Sequence, residues 1–125
     1  MLETSTITIF QADYVAIDIE ILIRGIPKDI SGCTILFMVK DDIEDEDDDA
    51  LIIKEIPPEE IIPGTDGKAL LELTDEETDI PVKNGRIFGF KLVDTEDNPI
   101  TFDTGVFNVK RSPVRGKALP EEPTP

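Results

Sequence analysis

The chain has 125 residues, with 12 Lys and Arg against 28 Asp and Glu, so its formal net charge at pH 7 is −16. This negative charge disfavours binding to phosphate backbones and to anionic lipid surfaces. The length fits one domain of about 100–150 residues. The chain contains no histidine, which removes the commonest general base and the commonest zinc ligand. We therefore expect no enzyme, no metal or cofactor, and neither nucleic acid nor membrane as a partner.

The single cysteine, Cys33, cannot form an intramolecular disulfide. Its apolar neighbours predict a buried side chain rather than a reactive thiol. The N-terminus lacks the basic and apolar regions of a signal peptide, and no apolar run approaches the ~18 residues of a membrane-spanning helix. These features predict a protein that is made in a cytoplasm and carries no targeting segment.

The first predicted elements are strands, because apolar and polar residues alternate with period 2. Residues 6–10 form a short strand. Residues 15–24 form a longer one, whose apolar face consists of Val15, Ile17, Ile19, Ile21 and Ile23. Residues 25–32 contain the Gly, Pro, Asp and Ser that favour turns. Residues 34–40 are apolar on both faces, which predicts a central strand covered on both sides.

The next segment, 41–49, holds eight acidic residues in a single run. Like charges in a run usually form a solvated, self-repelling loop, and we expect fast hydrogen exchange there. Asp45, Asp47 and Asp49 alternate as in a calcium-binding EF-hand loop, but Ala50 and Ile56 stand where that loop needs Gly and Glu. Weak cation binding and an electrostatic docking site are the alternatives.

The second half of the chain repeats the strand pattern. Residues 51–56 and 69–73 are predicted strands, separated by a loop rich in Pro and Gly. Thr74 and Glu77 have the spacing of a capping box, which predicts one helical turn that ends before Pro81. Strands 86–93 and 100–110 follow around a turn at 94–98, and Gly105 predicts a bulge or a close backbone approach.

Seven short strands with one helical turn favour an all-β antiparallel sandwich over a barrel or an α/β layer. The sandwich domain is predicted to span residues 1–110, and residues 111–125 to be a disordered or extended tail. Its basic residues Lys110, Arg111, Arg115 and Lys117 have no aromatic neighbours that would indicate a nucleic-acid site. The predicted core consists of Ile17, Ile19, Ile21, Ile35, Phe37, Val39, Leu71, Leu73, Phe88, Phe90, Leu92, Phe102 and Phe107.

The order of these elements resembles the N-terminal domain of phage baseplate upper proteins across about residues 6–110. Four motifs carry the resemblance: Asp29-Ile-Ser-Gly-Cys-Thr34, Gly67-Lys-Ala-Leu-Leu-Glu-Leu-Thr-Asp-Glu-Glu-Thr78, Asn84-Gly-Arg-Ile-Phe-Gly-Phe-Lys-Leu-Val-Asp94 and Thr104-Gly-Val-Phe-Asn-Val109. The resemblance implies an immunoglobulin-like β-sandwich that serves as a structural module of a phage tail, baseplate or fibre, without catalysis. It also implies that the protein is located in a virion assembled in the host cytoplasm.

The expected partners are other virion proteins or further copies of this chain, bound through a sheet edge or face rather than a pocket. Candidate edges are residues 6–10 and 51–56, and candidate contact residues are Ile7, Ile9, Leu51 and Ile53. The alternative is an acidic protein-binding module, either a DNA mimic or an adhesion-type sandwich. A mimic needs its charges along a rigid face, whereas eight of the acids here lie in one run.

Overall fold

The structure is a computed structural model that describes residues 5–114. Most of these residues lie in strands, because apolar residues alternate along them. These residues form nine strands: β1 Ser5–Phe10, β2 Val15–Glu20, β3 Leu22–Ile23, β4 Ile26–Pro27, β5 Thr34–Lys40, β6 Ile52–Ile56, β7 Lys68–Leu73, β8 Lys83–Val93 and β9 Pro99–Lys110. Two short 3₁₀ turns lie at Asp47–Asp49 and Pro58–Glu60. The predicted all-β class is confirmed.

The described strands form a five-stranded sheet in the order β1-β9-β8-β5-β6, a two-stranded sheet of β2 and β7, and a small β3–β4 hairpin. The sheets pack as a sandwich around one core. Strands β5, β8 and β9 share one sheet and correspond to strands C, F and G of immunoglobulin sandwiches. Strands β2 and β7 pair in the opposite sheet and correspond to strands B and E. One pair departs from the antiparallel pattern, since β1 lies parallel to β9.

All seven predicted strands are present, but the predicted strand 15–24 is divided. Its first part is β2, and its last residues turn away as the β3–β4 hairpin, in which Ile23 pairs with Ile26. Arg24 and Gly25 both have positive φ, 53° and 79°, as a two-residue hairpin turn requires. Ile23 is consequently exposed, and its predicted place on the buried face is wrong.

The core centres on Phe37 of β5. Its ring centroid lies 4.7 Å from that of Phe90 and 6.2 Å from those of Phe88 and Phe107. The predicted core residues are buried except Ile17 and Phe102, which pack only partly against the core. Phe102 lies in a register shift between β8 and β9, which leaves its ring stacked on Phe90 at the margin. The core residues that were not predicted are Ile9, Ile30, Ile52, Ile56, Ile61, Ile80 and Val109.

The predicted capping box is present after β7. The Thr74 N–H donates to the Glu77 carboxylate at 3.0 Å, and the Glu77 N–H donates to Thr74 Oγ1 at 3.2 Å. The segment makes a single hydrogen-bonded turn closed by the Thr78 N–H on the Thr74 carbonyl. Buried Thr78 then donates its hydroxyl to the Asp13 carbonyl at 2.6 Å, which ties this turn to the connection between β1 and β2.

Gly105 lies where β1 crosses closest to β9. A Cβ atom at this position would overlap the carbonyl oxygen of Ser5 and lie 2.8 Å from the Phe88 ring. The predicted close backbone approach is therefore confirmed, whereas the register shift falls at Phe102 rather than at Gly105. The absence of a side chain is what lets β1 pair with β9.

The last strand ends at Lys110, the predicted end of the sandwich domain. Residues 111–114 belong to no strand or helix, and Ser112 exchanges hydrogen bonds with the backbone of Val114. The rest of the predicted tail, residues 115–125, lies outside the described residues.

We predict that Gly105→Ala lowers the free energy of unfolding by about 1–3 kcal/mol, because the added methyl group must push β1 away from β9. Gly89→Ala is the matched control, since nothing lies within 4 Å of the corresponding Cβ position. Denaturant melts measure both variants, and hydrogen exchange of β1 should accelerate only in Gly105→Ala. Equal stability of the two variants would contradict the close approach.

We predict that Ile19→Ala lowers the free energy of unfolding by about 2–5 kcal/mol, because it leaves a cavity in a packed interior. Ile23→Ala, from the same predicted strand, should change it by less than about 0.5 kcal/mol, because Ile23 is exposed. Denaturant melts at micromolar protein compare the two. A small loss at Ile19 would mean that β2 turns its other face inward.

Candidate functional site

Both predicted edges are outer strands of the five-stranded sheet, β1 on one side and β6 on the other. The four candidate contact residues differ in what they offer a partner. Ile9 is only 4% exposed, and Ile7 and Leu51 are half-buried against the core. Ile53 is 52% exposed. Side-chain docking at an edge would therefore use Ile53, while β1 offers mainly its free backbone groups.

The outward side of β5 carries an apolar surface, which lies between the two predicted edges. Ile35, Phe37 and Val39 point inward and are buried, whereas Leu36 and Met38 point outward and are half-buried. The prediction that both sides of this strand are covered is wrong for the described chain. One apolar side is covered by the core, and the other keeps part of its surface open.

The neighbouring strands extend this surface. Met38 lies opposite Ile53 on β6 and opposite Gly89 on β8, and Ile87 lies opposite Val106 on β9. We call the surface formed by Leu36, Met38, Ile53, Ile87 and Val106 the outer face. Its members other than Ile53 are half-buried. Because Gly89 has no side chain, no side chain projects from the middle of the outer face. This flat shape suits contact with another flat surface.

The acidic run 41–49 is fixed to the sheet at its start. Arg86 on β8 is 2% exposed, and its Nε lies 2.9 Å from Asp41 Oδ1 while its Nη1 donates to the Pro81 carbonyl at 2.6 Å. Lys83 approaches the same carboxylate at 3.2 Å. Hydrogen bonds from Arg86 and Lys83 hold the pKa of the Asp41 carboxyl below its usual range. Sequence analysis missed this buried arginine, whose only signal is its position at the start of an apolar strand.

A second cation holds the other part of the run. Lys40 Nζ lies 2.7 Å from Asp47 Oδ1 and donates to the Asp45 carbonyl at 3.0 Å. The hydrogen bond from Lys40 lowers the pKa of Asp47. The run is therefore exposed but anchored. Within residues 5–114, no three acidic, His or Cys side chains form a group that could hold a metal ion.

A groove lies between the edge of β6 and the edge of β7. Its volume is about 420 Å³, and its lining residues are Lys54, Glu55, Ile56, Glu60, Leu70 and Glu72. Lys54 is already bound by the Glu77 carboxylate at 3.0 Å. Burial raises the pKa of Glu77, but the Thr74 N–H and Lys54 outweigh it, so the pKa is lowered overall. A hydrogen bond to Glu72 raises the pKa of Tyr14 beside the groove.

Cys33 is buried, as predicted, with its thiol directed towards the Ser31 carbonyl at 3.9 Å. Burial, reinforced by the charge of Asp94, raises the pKa of the thiol. A buried thiol with a raised pKa is a poor nucleophile. Cys33 thus serves the packing of the core.

No known family model matches this sequence, and no curated protein is similar to it. Within residues 5–114, no helix is long and apolar enough to cross a membrane. The assignment of a role therefore depends on the surfaces described above.

We predict that Asp41→Asn lowers the free energy of unfolding at pH 7 by about 1 kcal/mol, a value reduced by the partial exposure of Asp41. Because the folded pKa of Asp41 is depressed, its contribution is present above about pH 4 and is lost as pH falls through the folded pKa. The difference from wild type should therefore shrink in acid. Asp48→Asn in the same run is the control. Thermal melts across pH 2–7 measure both, and a difference independent of pH would argue against the ion pair.

Proposed function

We propose that this chain is a non-catalytic assembly module of a phage or prophage virion, in a tail, baseplate or fibre. It binds another virion protein or a further copy of itself through the outer face of the five-stranded sheet. The observation that carries the proposal is the second apolar side of β5, where Leu36 and Met38 are half-buried without a covering layer in the described chain. The resemblance to phage baseplate upper proteins supports the location in a virion.

The energetics of the outer face favour a protein partner. Burial of apolar surface is worth roughly 25 cal/mol per Å², so covering this face is favourable. Contiguous exposed apolar surface marks interaction sites, and a flat face offers a protein partner more contact area than it offers a small ligand. At one side the outer face reaches the free edge of β6, where a partner strand could pair with the backbone while its side chains contact Ile53.

The chemistry of the side chains supports an assembly role over catalysis. The chain has no histidine, and its one thiol is buried with a raised pKa. In the acidic run, Asp41 is bound by Arg86 and Lys83, and Asp47 is bound by Lys40. These ion pairs fix a loop to a sheet, which a structural module needs. The concentration of charge in this one loop gives no specific support to DNA mimicry.

We predict that Ile53→Lys reduces incorporation of this chain into particles at least tenfold, because the partner must then bury a charge beside the outer face. Ile43→Lys is the matched control, since Ile43 is also exposed, at 71% against 52% for Ile53, but lies in the acidic loop. The measurement is mass spectrometry of particles purified from a strain that carries the gene, with each variant in place of the wild type.

Absence of the wild-type chain from purified particles would exclude a virion component. Salt-sensitive capture of a DNA-binding protein by the purified chain would instead favour the acidic binding module. Equal incorporation of Ile53→Lys and wild type would move the contact away from the outer face.

A further inference from the structure

We propose that the β3–β4 hairpin of one copy docks into the groove between β6 and β7 of a second copy. This inference rests on the proposed function in one respect: both treat the chain as a module that binds further copies of itself. It identifies a second contact, distinct from the outer face, and specifies both of its sides.

The hairpin presents apolar side chains that its own fold does not use. Leu22, Ile23 and Ile26 are 47%, 53% and 68% exposed. The base of the hairpin is held firmly: the Ile21 N–H donates to the Gly67 carbonyl at 2.8 Å, and the Lys28 N–H donates to the Ile21 carbonyl at 2.9 Å. A rigid projection with three exposed aliphatic side chains has the properties of a docking element.

The tip of the hairpin carries a cation at a backbone position that disfavours it. A two-residue turn with positive φ at both positions prefers Asn, Asp or Gly first, and here the first residue is Arg24 with φ 53°. The turn would be more stable with Asn. Arg24 and Lys28 belong to none of the four ion pairs found in residues 5–114. The tip therefore presents one unpaired cation, Arg24, in a chain whose net charge is −16, whereas half-buried Lys28 lies near enough to Asp29 and Asp94 to lower the pKa of both.

The groove has the complementary chemistry. Leu70, which is 44% exposed, supplies apolar surface, and Glu60 and Glu72 supply carboxylates. In the described chain neither of these two carboxylates takes part in an ion pair. Lys54, the one cation of the lining, is neutralised by Glu77. An occupant with aliphatic side chains and cations would cover the apolar surface and relieve the repulsion among the carboxylates.

The occupant is a second copy because the hairpin does not occupy the groove of its own chain. Its aliphatic side chains remain exposed, and its base is fixed at the end of β2, beside Lys68. The groove lies farther along β7, at Leu70 and Glu72. Since the hairpin and the groove are different surfaces, two copies can exchange them reciprocally in a closed dimer, and repetition of a one-way contact builds a ring or a filament.

The test uses the full-length chain in sedimentation velocity at 150 mM salt, from micromolar to millimolar protein. Arg24→Asn should weaken self-association at least tenfold while it keeps or raises the melting temperature, because Asn suits the turn better than Arg. Glu60→Gln should also weaken self-association, because it removes a carboxylate from the groove. Arg111→Asn is the control with the same change of net charge, and it should associate like wild type.

Charge reversal tests the direction of the contact. Arg24→Glu and Glu60→Arg should each be monomeric alone and should co-assemble in alternation when mixed. The reversed hairpin of one fits the reversed groove of the other, and the unchanged hairpin of the second fits the unchanged groove of the first. The double variant R24E/E60R should recover extended assembly. A mixture that stays monomeric, or a double variant that does not assemble, overturns the proposed pair of surfaces.

Two outcomes separate this inference from the proposed function. If Arg24→Asn associates like wild type while Ile53→Lys does not, the hairpin contact is wrong and assembly through the outer face stands. If the wild type is monomeric at millimolar concentration, the hairpin contact is also wrong, and the presence of the chain in particles decides the virion role independently.

Discussion

The inner face of the five-stranded sheet is apolar, and among the described strands only the two-stranded β2–β7 sheet lies against it. At a spacing of about 4.8 Å between strands, five strands span about 19 Å, whereas two span about 5 Å. The cover is completed by aliphatic residues from the connections, namely Ile30, Ile61 and Ile80. This need explains why the connections are so thoroughly hydrogen-bonded, as where the Ile30 N–H donates to the Gly64 carbonyl at 2.9 Å. Loops that carry core residues must be ordered.

The same constraint separates what the sequence could predict from what it could not. Period-2 alternation located the strands and most of the core, because strands repeat a local rule. Ile30, Ile61 and Ile80 follow no such rule. Each lies in a connection without apolar alternation, and its burial depends on which sheet needs covering. The capping box at Thr74 and Glu77 was predictable because its partners are three residues apart. Gly25 was predicted to lie in a turn, but the break between β2 and β3 was not, since aliphatic residues continue across it.

The candidate surfaces show a further limit of the same kind. Edge strands could be predicted from their position beside a terminus and beside a charged loop. Which side chains stay exposed depends on the register, and residues 51–53 do not alternate. Pairing of Ile53 with Met38 decides that Ile53 points outward and Ile52 inward. The apolar character of β5 on both sides was visible in the sequence. That one of these sides stays partly open could be learned only from the structure, in which, within residues 5–114, a sheet packs against the other side alone.

The two ends of the sandwich differ in chemistry, and this difference bears on how copies could be arranged. The hairpin connection precedes β5 and the acidic run follows it, so they lie at opposite ends of a seven-residue strand, roughly 20 Å apart. One end presents aliphatic side chains with Arg24, and the other presents anchored carboxylates with Asp41. A symmetric pairing of like ends would bring together either two acidic runs or two Arg24 side chains, and mutual repulsion would oppose both arrangements. The charge distribution therefore favours a directional arrangement, in which the end of one copy meets a different surface of the next.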